Sequence, residues 1–118
     1  WFRDHVAYTI AKYGMSLCVL GMAEEFRADG IAVNALWPRT VIATSAVASI
    51  PGAQERMEMM RTPAIVADAA HAILSGAMGA ATGRFFLDEE VLRAAGVADF
   101  DRYAVQPGTP LLPDLFVD

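Results

Sequence analysis

A chain of 118 residues has room for one domain and not for two, and at 55% hydrophobic against 19% charged it falls outside the disordered class. Nine basic against fourteen acidic residues leave a net charge of −5 with no basic stripe, which excludes a nucleic-acid partner. A mean hydropathy of +0.35 implies more apolar surface than so small a domain buries alone, pointing to a partner subunit or a missing part of the fold.

The single cysteine, Cys18, rules out an internal disulfide and fits a reducing compartment, so the expected location is cytoplasmic. Within its apolar helical run Cys18 reads as a buried small hydrophobe and not a nucleophile. His5 and His71 have no cysteine or paired carboxylate at ligand spacing, so no metal site is expected. No run reaches the roughly 18 uninterrupted apolar residues that a membrane span needs. A start at Trp1 without an initiator Met is neither a signal peptide nor a natural beginning and reads as a cut edge. The other end, Phe116-Val117-Asp118, carries no Ser-Lys-Leu-type address.

Asp4 is placed to cap a helix that continues from His5 to Ala28 without proline. Ile10, Gly14, Leu17, Cys18 and Gly21 recur at helical spacing. About 22 residues would span roughly 33 Å, and Asp29-Gly30 ends the run with a left-handed C-cap. Gly14 and Gly21 each weaken a helix by ~1 kcal/mol relative to Ala. They therefore predict close packing, with the helix buried on more than one side. Tyr8 and Lys12, four residues apart, share one face of it. A positive charge one turn from a phenol favours the ionised form, which suits general acid–base work. The same spacing also describes a packed aromatic beside a solvated lysine.

Ile31 to Trp37 reads as a short strand buried on both faces, closed by Pro38, and with the preceding helix makes half of a βαβ crossover. The loop from Pro38 to Thr44 leaves the strand's carboxyl end, where open α/β sheets bind ligands. Pro51-Gly52 marks a turn and Gln54 to Met60 a short helix, its methionines either gap filling or part of a mobile lid. Thr62 at N-cap with Pro63 at N1 starts a helix over Ala64 to Leu74 with Ile65, Ala69, Ala72 and Ile73 on one side. Phe85-Phe86-Leu87 is a short strand, and Asp88-Glu89-Glu90 reads as a solvated loop or helix N-terminus. One or two helical turns follow over Val91 to Ala95, stopped at Gly96. From Ala98 to Asp118 an ordered but irregular tail offers Phe100, Tyr103, Leu111, Leu112, Leu115 and Phe116 for packing on the domain or on a neighbouring subunit.

This succession resembles the C-terminal half of the short-chain dehydrogenases/reductases. The matching features are a helix with Tyr8-x-x-x-Lys12, the strand Ile31-Ala32-Val33-Asn34-Ala35-Leu36, a Pro-led loop, a lid, the helix opening Pro63-Ala64-Ile65, and Thr82-Gly83 before the last strand. Ala7 to Ser16, Gly21 to Phe26, Asn34 to Pro38 and the tail Asp99-Phe100-Asp101 look like the hydroxysteroid dehydrogenase-like branch. The resemblance implies an α/β fold, the C-terminal half of a Rossmann-like doubly wound parallel sheet. Residues 1–118 would form a single partial domain without the dinucleotide-binding N-terminal half.

It further implies an NAD- or NADP-dependent oxidoreductase interconverting a carbonyl and a secondary alcohol on a fairly apolar small molecule, in a homo-oligomer (dimer or tetramer). Tyr8 would be the general acid/base, and Lys12 would bind the nicotinamide ribose and support Tyr8. Pro38, Thr40, Ile42 and Thr44 would contact the cofactor, with Ala46 to Met60 over the substrate. The family's Pro-Gly is here Pro38-Arg39, and the loop is one residue longer. The Gly-rich pyrophosphate turn and the substrate-positioning serine do not occur in this sequence, so the fragment alone is expected to be inactive. A truncated oligomerisation or binding module derived from the family stands as the second reading.

Overall fold

The computed structural model describes residues 2–117; Trp1, read above as a cut edge, and Asp118 lie outside the described residues. The chain divides into two compact units. One comprises the residues up to Ala35 with Ala80–Phe86, the other Leu36–Gly79 with the residues from Leu87 onward.

The first unit is built on α1 (Val6–Glu25). Asp4 does not cap it: the residue lies in a preceding 3-10 turn, Phe2–Asp4, and pairs with Arg3 at 3.3 Å. His5 takes the N-cap position, its carbonyl accepting from the Thr9 N–H at 2.8 Å. A 3-10 turn, Arg27–Asp29, follows the helix and ends on Gly30 at φ 70°, a left-handed conformation that glycine reaches without a Cβ clash.

Burial of α1 departs from expectation. Val19 and Ala23 are its buried residues, whereas Ile10 is 68% exposed and Cys18 is exposed, not buried. A Cβ added at Gly14 or Gly21 would meet nothing within 4 Å. Periodicity identifies residues suited to packing; it does not supply the surface they pack on, and no described residue covers most of this one. Length and composition also make α1 apolar enough to cross a membrane, with a mean hydropathy of 1.3 over 18 residues. Lys12 keeps this stretch from being an uninterrupted apolar run, and a core helix of a water-soluble fold has the same length and composition.

The expected strand over Ile31–Trp37 is reduced to β1 (Ala35–Trp37), half-buried, which pairs in parallel with β2 (Phe85–Leu87). Side chains replace the ladder upstream. The Asn34 amide donates to the Ala81 carbonyl at 2.8 Å and accepts from the Arg84 N–H at 3.0 Å, while Thr82 Oγ1 accepts from the Val33 N–H at 3.1 Å. Gly83, at φ 70°, brings this segment against α1. Its added Cβ would lie 3.4 Å from that of Ala23.

In the second unit, Thr44 caps α2 (Ser45–Ala48), its Oγ1 accepting from the Val47 N–H at 3.2 Å. A 3-10 run, Gln54–Met59, stands where the short helix over Gln54 to Met60 was expected, and Met60 after it is buried. Pro63 begins α3 (Ala64–Leu74), which buries Ile65 and Ala69. That face packs on α4 (Asp88–Ala94), which buries Asp88, Val91 and Leu92. The tail is irregular except for a 3-10 turn at Asp101–Tyr103. Buried Tyr103 donates its hydroxyl to Asp68 at 2.7 Å, whereas Leu115 and Phe116 remain exposed.

Ile65→Ala opens a cavity at the α3–α4 contact and should cost about 2–5 kcal/mol in urea unfolding. His71→Ala, on the exposed side of the same helix, should stay within about 0.5 kcal/mol.

Candidate active site

In the first unit, Tyr8 and Lys12 stand one turn apart on α1, with Lys12 Nζ 5.5 Å from the centre of the Tyr8 ring. At an exposed position such a cation–π contact is worth ~0.5–1 kcal/mol, enough to bias both side chains toward one another. The Tyr8 side chain is half exposed, at 51%. Between them Thr9 is half-buried, and its Oγ1 has no partner among the described residues.

Pro38, Thr40, Ile42 and Thr44 belong to the second unit, on the loop that leaves β1. Proline ends the strand because it has no N–H to give. Beyond it the loop is an extra, irregular strand: Thr40 bridges Pro113, and Ile42 bridges Arg61 in parallel. Arg61 accepts from the Ala43 N–H at 2.8 Å and donates to the Val41 carbonyl at 3.1 Å. The Ile42 N–H has no backbone partner among the described residues. Thr40 is 7% exposed, and its Oγ1 also has no partner among them. Thr44 Oγ1 is committed as acceptor to the α2 cap but keeps its proton to donate. Beside the loop lies an open depression of ≈ 340 Å³, lined by Val41, Val47, Ile50, Met60 and Leu112 with Arg56.

The acidic triplet opens α4, the helix N-terminus that was one of its two readings, but its Asp88 is not solvated. Asp88 is 0% exposed, and its Oδ1 accepts from the Arg39 N–H at 3.0 Å and the Glu89 N–H at 2.6 Å. Glu89 binds Arg61, only 5% exposed, at 2.8 Å and Arg93 at 2.5 Å. Glu90 binds the Arg39 guanidinium at 2.7 Å. Arg39 has no positive φ, so the position usually held by glycine does not require one here. An arginine beside Pro38 and three carboxylates far along the chain were the available signal.

Burial pushes the Asp88 carboxyl above the usual carboxylate range, against the opposing pull of the Arg39 and Glu89 N–H groups and the Arg61 charge. Burial also works to raise Glu89, but the hydrogen bonds from Arg61 and Arg93 outweigh it and hold that carboxyl below the usual range. The two act oppositely on stability. Asp88's contribution is complete below the ordinary carboxylate pKa and is lost as pH rises through the folded value. That of Glu89 is present above the ordinary pKa and is lost as pH falls through its folded value. Glu89→Ala strands the buried Arg61 charge and should cost about 3–5 kcal/mol at neutral pH. In denaturant titrations the gap from wild type should narrow as pH falls below the ordinary carboxylate range.

No family model matches the chain. It is 57% identical over all 118 residues to hydroxysteroid dehydrogenase-like protein 2 of Danio rerio, and it spans 28% of that protein's length. A solved Xanthomonas campestris protein described as a dehydrogenase superposes with a TM-score of 0.87 at 51% identity, over 100% of this chain and 43% of that one. A short-chain dehydrogenase from Mycobacterium thermoresistibile gives 0.80 at 47% identity, over 94% of this chain and 39% of that one. Identity this high, sustained along the whole chain together with the fold, makes this chain a homologue of part of hydroxysteroid dehydrogenase-like protein 2, with short-chain dehydrogenases as its structural neighbours.

Proposed function

We propose that the protein carrying this chain is an NAD- or NADP-dependent oxidoreductase that interconverts a carbonyl and a secondary alcohol on a fairly apolar small molecule. The observation that carries the reading is the Tyr8–Lys12 pair on one face of α1, in a chain whose relatives are named dehydrogenases. The second unit suits the same purpose. The buried Thr40 hydroxyl, the Ile42 N–H and the Thr44 hydroxyl proton are polar groups on one loop that fit a carboxamide-bearing ligand. These residues, with Pro38 shaping the loop and Lys12 on α1, are the ones that would hold a nicotinamide cofactor. When bound, that cofactor supplies or takes up hydride at the substrate carbon.

The chain's own part is proton transfer. In reduction the Tyr8 hydroxyl gives its proton to the carbonyl oxygen, and in oxidation the phenolate takes one from the alcohol. Lys12, with its ammonium 5.5 Å from the ring centre, helps hold the Tyr8 side chain in place for this exchange. The apolar lining beside the loop favours a substrate with hydrocarbon around the reacting carbon.

A second reading, an inactive oligomerisation or binding module, is favoured by the exposed apolar residues of α1, among them Ile10, Met15, Leu17 and Leu20. In either reading this face suits contact with another copy of the chain. Turnover separates the two. Tyr8→Phe in the complete protein should cut it by about 10²–10⁴-fold or more, with the cofactor Kd within about threefold of wild type. Full activity in that variant would sink the mechanism, and a folded wild-type oligomer that binds no nicotinamide would establish the module.

A further inference from the structure

Four tethers converge on the loop after β1, and three of them start from the first turn of α4. Asp88 holds the Arg39 N–H at 3.0 Å. Glu90 holds the Arg39 side chain at 2.7 Å. Glu89 holds Arg61, whose backbone in turn brackets Ile42 through Val41 and Ala43. The fourth comes from the tail, where the Leu112 carbonyl accepts from the Val41 N–H at 3.0 Å and the Asp114 N–H reaches the Arg39 carbonyl at 3.0 Å.

The α4 tethers differ in kind. That of Asp88 is buried and directed at backbone, so it fixes where Arg39, and with it Thr40, can sit. Glu90 is exposed and pulls on a side chain. We infer that Asp88 is a positioning residue: it sets the geometry of the 38–44 loop, with Glu90 as its secondary tether, and thereby the affinity for the nicotinamide cofactor. This rests on the oxidoreductase reading for the ligand, though not for the clamp. Asp88 touches neither of the groups assigned to proton transfer, so its loss should act on cofactor binding and leave the chemical step in place.

The experiment compares Asp88→Ala with Asp88→Asn in the complete protein. Asparagine keeps a side-chain oxygen to accept both N–H groups; alanine keeps none. Asp88→Ala is expected to raise the cofactor KM about tenfold with kcat within about threefold, and Asp88→Asn to recover most of the loss. Amide hydrogen exchange at Arg39 and Thr40 reads the clamp without turnover. It should quicken by about tenfold in the alanine variant and return toward wild type in the asparagine one.

Unchanged KM and exchange in a folded Asp88→Ala protein overturn the inference, as does a fall in melting temperature with KM unmoved. Should Asp88→Ala not fold, Glu90→Ala removes the exposed tether and should raise KM about threefold, and an unchanged KM there also overturns it. A wild-type protein with no nicotinamide-dependent turnover would refute the oxidoreductase reading, while the exchange measurement would still decide the clamp.

Discussion

A buried carboxylate without hydrogen bonds destabilises the fold, and Asp88 Oδ1 accepts from two backbone N–H groups that lie 50 residues apart in the chain, those of Arg39 and Glu89, while its Oδ2 has no partner among the described residues. One bond opens α4; the other stops the loop after β1 from swinging free. Around that point the second unit closes: Glu89 draws in Arg61, and Arg61 and Arg93 both stand against the Phe100 ring, at 5.6 and 4.6 Å from its centre. The tail is thereby held by charge and aromatic contact as much as by apolar burial. Opposed shifts follow from the geometry. Burial pushes Asp88 up, since it has hydrogen bonds but no ion pair among the described residues; Glu89 gets two guanidinium partners and is held down.

The first unit solves a different problem. Its segment 31–35 runs beside 80–86 with a side-chain amide and a hydroxyl completing the pairing. Ala23 and Gly83 allow close approach to α1. Most of α1 presents apolar residues outward, and it also presents the Tyr8–Lys12 pair. A helix that carries both a candidate acid–base residue and an uncovered apolar surface fits a chain that spans 28% of its Danio rerio relative and 43% of its Xanthomonas neighbour.

Much of this was legible from local chemistry. The Thr62-Pro63 start places α3 to within a residue, Phe85 to Leu87 is β2, and Gly30 ends the first helical stretch as a left-handed residue should. The family resemblance came from several such segments in order, and the relatives agree with it. What was not legible was long-range. Asn34 looks like any strand residue until the Ala81 carbonyl arrives to claim its amide. That Asp-Glu-Glu opens a helix was one of its two readings, but its burial was not legible, because its partners, Arg39 and Arg61, are 49 and 28 residues away. Thr44 reads equally as a ligand-binding hydroxyl and as a Thr cap, and the four-residue helix it caps is too short to show a period. The exposure of Cys18 and Ile10 could not be read from periodicity at all, because periodicity reports a face and not its cover.

The central claim is that Lys12 and the 38–44 loop serve a nicotinamide cofactor, and fluorescence titration of the complete protein with NADH and with NADPH tests it most directly. The account predicts saturable binding of at least one of them, weakened about tenfold or more by Lys12→Ala without loss of fold. Failure of both to bind at millimolar concentration, or binding indifferent to Lys12→Ala, would contradict it.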